Sequence, residues 1–130
     1  MTTSMNSERQ ATEDQLNALL TDITAVRTVL AGILTGSATY DTASLVDGAG
    51  ATTTITVTGA VLGDFVLVSF GVDLQGISVT AYVSAADTVS VRIQNESGGT
   101  LDLASTTVRA LVFPRATFAA PAALTSVAGT

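Results

Sequence analysis

At 130 residues the chain has room for one ordinary domain and an appendage, but not for two full cores. Hydrophobic residues make up an ordinary 47%, whereas charged residues reach only 12%, about half the globular norm, and the 22 threonines favour extended backbone. A net charge of −6, with no Lys and all five basic residues Arg, leaves no basic patch for nucleic-acid backbone or an anionic membrane, and the lack of Cys excludes disulfides and thiolate chemistry.

Residues 1–11 are polar and read as an N-terminal arm. The opening MTTSMNSERQ has neither the positive start nor the apolar stretch of a signal peptide, and no run anywhere approaches the ~18 apolar residues that span a bilayer. Residues 12–35 then take up a helical rhythm. Leu16, Leu19, Ile23, Val26, Leu30 and Ile33 follow one another at alternating spacings of three and four, the a and d positions of a heptad. Thr12 with Gln15 forms a capping box to open this helix, and Gly36 is placed to close it. Two readings of the stripe stand side by side. An amphipathic helix lying on its own domain would carry a wider stripe, and Leu20, Val29 and Leu34 do widen it. A coiled coil fits the clean a/d seam, and Asp22 at g with Arg27 at the following e has the spacing that pairs charges between neighbouring parallel helices. Leu, Ile, Leu at a with Leu, Val, Ile at d disfavours two strands, so three helices are expected, with Leu16, Leu19, Asp22, Ile23, Val26, Arg27, Leu30 and Ile33 as the trimer interface.

Over residues 37–115 the pattern changes to short apolar alternations between turn signals. Strands are predicted near 38–42, 52–58, 65–71, 77–84, 88–95 and 106–113, with turns at Asp47-Gly48-Ala49-Gly50, Gly59 to Gly63, Gln75-Gly76 and Asn95 to Gly99. Ile77, Val79, Ala81 and Val83 alternate with polar residues, Val89, Val91 and Ile93 do the same, and the short link at Ala85-Ala86-Asp87 makes the two an antiparallel hairpin. The fold class is therefore mainly β: an N-terminal coiled-coil helix followed by an antiparallel β-sandwich or jelly-roll-like domain. Two strands, FVLVSF from Phe65 and VRALVF from Val108, are apolar on both faces and call for cover beyond a simple sandwich. Residues 116–130 form an Ala-rich C-terminal tail.

Catalytic constellations are mostly excluded by composition. Without His or Cys there is no Ser-His-Asp or Cys-His arrangement and no imidazole or thiolate zinc site; without Lys there is no Walker loop and no Schiff base. Gly48-Ala49-Gly50 precedes Thr-rich strand sequence, not the helix of a dinucleotide fingerprint. Asp41, Asp47, Asp64, Asp73, Asp87, Glu96 and Asp102 fall at strand ends or turns, where carboxylates bond nearby amides, and none has the DxDxDG spacing of a calcium loop. Among six aromatics only Tyr40 and Tyr82 suit a sugar platform, and Tyr82 reads first as a surface or interface residue. No catalytic residue, metal site or cofactor is expected, and the chain is not expected to be an enzyme.

The runs GSATYDTASL (36–45), TVTGAVLGDFVLVSF (56–70) and VTAYVSAADTVSVRIQNESGGTLDLASTTVRALVFPR (79–115) together resemble a β module of tailed-phage virion proteins. That module occurs in capsid decoration (cement) or head-fibre proteins and in tail-fibre tips. The GAxLGD turn, the YVSAADTV hairpin and the NxSGGTxDLAS segment carry the likeness over about 80 residues. These are turn- and core-forming residues, so the likeness implies an architecture and transfers no binding site. A family fibre has a longer stalk, and the tail after Arg115 is an addition. The resemblance implies a structural virion protein on the outer capsid surface, a homotrimer partnered by the major capsid protein, with neither nucleic acid nor membrane as partner. A receptor-binding tail-fibre or baseplate tip and a host-encoded surface or adhesin module are the other roles compatible with it.

Overall fold

The computed structural model describes residues 2–118. The chain divides into a helical unit ending at Gly32 and a β unit beginning at Ile33.

Helix α1 runs Thr2–Ala31, about 45 Å at 1.5 Å per residue, and so takes in the stretch expected to be a polar arm. Its threonine hydroxyls are satisfied within the helix by carbonyls one turn earlier: Thr12 Oγ1 donates to Glu8 O at 3.1 Å, and Thr21, Thr24 and Thr28 repeat the pattern on Asn17, Leu20 and Thr24. Thr12 is thus an interior residue, not the first half of a capping box. At the other end the Gly32 amide donates to both Thr28 O and Val29 O, at 3.1 and 3.2 Å, and the helix stops after Ala31. It ends four residues sooner than the expected Thr35, which removes Ile33 from the helical seam.

Six strands follow, all antiparallel: β1 (Leu34–Tyr40), β2 (Gly50–Thr56), β3 (Phe65–Phe70), β4 (Ile77–Ala85), β5 (Thr88–Asn95) and β6 (Thr106–Phe113). They form two three-stranded sheets, β1-β6-β3 and β2-β5-β4. That is a small sandwich, two strands short of the eight of a jelly roll. A short helix α2, Arg115–Phe118, occupies the start of the expected Ala-rich tail, whose remainder lies outside the described residues.

The core is drawn from both sheets. Val108, Ala110 and Val112 of β6 pack with Ile55 of β2, Val83 of β4, and Val89 and Val91 of β5, all buried. A second cluster at Leu45, Ile77, Ile93 and Leu103 is joined to it through Tyr40, Phe70 and Val79, which touch both. The period-2 alternation is clear in β4, where Ile77 and Val83 are buried, Val79 and Ala81 half-buried, and Ser78, Thr80, Tyr82 and Ser84 exposed; in β5 it breaks at Ser90, which is buried between Val89 and Val91. Gly36, placed by sequence at the end of the helix, lies within β1 opposite Ala110. It faces inward where the sheets come close, and a Cβ there would collide with Thr56 O and come within 2.8 Å of Val57 Cγ2.

The loops are tied by a few polar residues. Asn95 is fully buried, and its Nδ2 donates to Leu45 O and Gly99 O, both at 2.8 Å, while its Oδ1 accepts from the Ser97 amide at 3.0 Å. Asp64 ties the turn before β3 to the end of β6, its carboxylate accepting from the amides of Val61 at 3.0 Å and Arg115 at 2.9 Å.

Candidate assembly surfaces

The stripe on α1 is the first candidate. Leu16, Leu19, Ile23, Val26 and Leu30 all lie on the helix as expected, and each is exposed, from 43% at Ile23 to 62% at Leu30. At ~100° per residue these five span an arc of about 80°, and exposed Leu20 extends it to about 120°. Asp22 and Arg27 lie about 140° apart, so they flank the stripe on opposite sides. Ile33 lies between the helix and β1 and does not join them. Because α1 begins ten residues earlier than the sequence suggested, the same heptad register also runs through Met5, Arg9 and Thr12. Those positions were missed because their polar neighbours have no apolar period.

The second candidate is the outer face of β1-β6-β3. The two strands that are apolar on both faces divide as their alternation requires. Val66, Val68 and Phe70 of β3 and Val108, Ala110 and Val112 of β6 turn inward, leaving Phe65, Leu67 and Leu111 outside at 56%, 60% and 40% exposure. Register places Leu67, Leu111 and Thr35 in one row across the sheet, and Ser69, Arg109 and Ser37 in the next. Between these rows lies an open depression of about 700 Å³. Arg109 is the one charged residue of the three strands, and no carboxylate accompanies it. The sequence showed that these strands needed cover on both sides, but the register was required to see which residues share a row.

The outer face of β2-β5-β4 has the opposite character. Thr52, Thr54, Thr80 and Ser84 are exposed on it beside Arg92, and Tyr82 stands among them at 55% exposure. Tyr40, the other aromatic that sequence put forward as a platform, packs against both core clusters instead.

The carboxylates do the work of turn residues. Asp87 accepts from the Gly59 amide at 2.7 Å, Asp47 from Gly98 at 2.9 Å, Asp73 from Gln75 at 2.9 Å, and Asp64 from the two amides above. Among the described residues no three acidic side chains come together as a metal cage would need. No helix among them is long and apolar enough to cross a membrane.

No known protein family matches this sequence. A comparison with curated proteins gives no match either.

Proposed function

We propose that this chain is a structural protein of a phage virion: a homotrimer, joined through a parallel coiled coil of α1, that decorates the capsid at local three-fold positions and cements the shell. The observation that carries the proposal is the exposed Leu16–Leu19–Ile23–Val26–Leu30 stripe. Five large aliphatic side chains at a/d spacing, left open to water on one helix, form a surface that is stable only when covered, and copies of itself offer matching knobs and holes. In a parallel trimer Asp22 of one chain meets Arg27 of the next, and the apolar residues beside the seam suit a third helix. Leu67, Phe65 and Leu111 give the β unit a second apolar surface for lattice contacts, while a net charge of −6 suits a solvent-facing exterior rather than packaged nucleic acid.

The role is mechanical. Icosahedral shells have local three-fold axes, where a closed trimer can touch three capsomer edges and add buried interface across seams that internal pressure tends to open. Neither catalysis nor a cofactor is involved. A second reading, a receptor-binding tail-fibre or baseplate tip, is favoured by one observation: the polar outer face of β2-β5-β4 with Tyr82 exposed on it. Deleting the protein separates the two. Cemented particles lacking it assemble with normal geometry but lose DNA sooner on heating, and adding back purified protein restores them to a saturating level. Particles that stay heat-resistant but no longer adsorb to cells would overturn the decoration role in favour of the fibre tip.

A further inference from the structure

We propose that the outer face of β2-β5-β4, centred on Tyr82, is a binding platform for an oligosaccharide chain. The proposal is independent of the trimer and of the virion assignment, since it needs only the β unit.

Tyr82 is the one aromatic residue among the strand residues of this sheet. Register places it in one row with Ser90 and Thr54, and the next row holds Thr80, Arg92 and Thr52. The structure leaves the ring 55% exposed, while the other tyrosine is packed into the core. An exposed ring on a sheet presents its electron-rich face to whatever lies on the sheet, and the axial C–H groups of a pyranose are suited to that face.

The polar groups around the ring are held in place before any ligand arrives. Arg92 Nη1 donates to Thr52 Oγ1 at 3.3 Å and Nη2 to Gln94 Oε1 at 3.2 Å. Gln94 is itself anchored, its Nε2 donating to Gly48 O at 2.7 Å and Glu96 Oε1 at 3.1 Å. Ser90, itself buried, donates to Ser84 at 2.7 Å, which fixes the exposed Ser84 hydroxyl on this sheet. A guanidinium has five N–H donors, so Arg92 retains donors for a ligand after these bonds are made. Ordered donors and acceptors around one ring lose little freedom on binding, which is what a weakly held, highly hydrated ligand requires.

The chemistry also narrows the ligand class. The face has no lysine and Arg92 as its one cation, too little charge to hold a polyphosphate backbone. Its exposed strand residues are hydroxyl-bearing apart from Arg92 and the small Ala85, with no large exposed aliphatic that would anchor a protein partner. A flat face with strands about 4.8 Å apart suits an extended chain of sugar rings better than a single enclosed one.

The test is a titration of the full chain with maltohexaose, chitohexaose and sialyllactose, followed by backbone amide shifts and by tyrosine emission, which is simple to read because the chain has two Tyr and no Trp. At least one sugar should move the Tyr82, Arg92 and Gln94 resonances. Tyr82→Ala and Tyr82→Thr, checked by melting curves for an intact fold, should weaken that sugar at least about tenfold, whereas Tyr82→Phe keeps binding within about threefold. Leu67→Ser, on the other sheet, should leave it unchanged. Absence of shifts with all three sugars up to about 10 mM would overturn the proposal. So would shifts confined to the Leu67–Leu111 face, or wild-type binding by both folded Tyr82 variants.

Discussion

Gly36 shows how much a single missing atom can decide. Its backbone is ordinary strand, so the requirement for glycine comes from space: Thr56 O and Val57 Cγ2 occupy the place where a Cβ would go. Both belong to or adjoin β2, and Val57 is fully buried, so neither can move aside without disturbing the second sheet. Gly36→Ala should therefore destabilise the β unit by about 1–3 kcal/mol, seen as a lower denaturant midpoint at unchanged slope. An unaltered midpoint would mean that the two sheets are not in contact at this point. The residue also marks where sequence reasoning turned aside. A glycine after a long apolar-periodic run resembles a helix stop, and nothing local distinguishes that from a glycine required by a neighbouring sheet.

At the scale of the element, α1 is open to a direct test. Ile23 is exposed in the middle of the seam, and Thr24 adjoins it on the outer side, bonded back to Leu20 O at 2.9 Å. If three helices associate, Ile23→Asp places three unpaired carboxylates at the axis, each costing several kcal/mol (~3 or more), and the trimer seen by light scattering should dissociate. Thr24→Asp should be nearly silent. Identical behaviour of the two variants, or a stable wild-type monomer, would remove the coiled coil. The strands were the legible elements. Strands β3 to β6 lie within a residue or so of the positions read from alternation, because Ile77 to Val83 keeps its polar residues wet, and Val89, Val91 and Ile93 are buried with Arg92 exposed between the last two. The helix ends were not legible, and the reasons are physical. At the start, residues 2–11 are helical although they carry no apolar period, and the Thr12 hydroxyl that read as a cap bonds to Glu8 O inside the helix. At the end, Ile33 and Leu34 continue the three-four spacing by coincidence, yet Leu34 pairs with Val112 and packs on the core, so long-range burial outweighs local rhythm.

For the whole molecule, the aspartates hold turns through backbone amides rather than gathering around an ion, so the loops should not depend on one. Adding EDTA should leave the melting temperature unchanged, and a fall of more than a few degrees (~5 °C, about 1 kcal/mol for a domain of this size) would reveal calcium held by the turn carboxylates. The two outer sheet faces were only half legible: alternation assigned Phe65, Leu67 and Leu111 to one side, but their neighbours came from the pairing of β6 with β3 and with β1, the latter about seventy residues earlier in sequence. That pairing has a consequence for synthesis. Among the described strands β6 is the last to leave the ribosome, yet it is the middle of its sheet, and β1 and β3 have no other partner there. The β2-β5-β4 sheet can close as soon as Asn95 emerges, whereas β1, made much earlier, must wait with open edges until Phe113 has been translated. A nascent chain paused between those two points would hold half a sandwich with the valines of its inner face exposed, and it is in that interval that a holdase chaperone has most to protect.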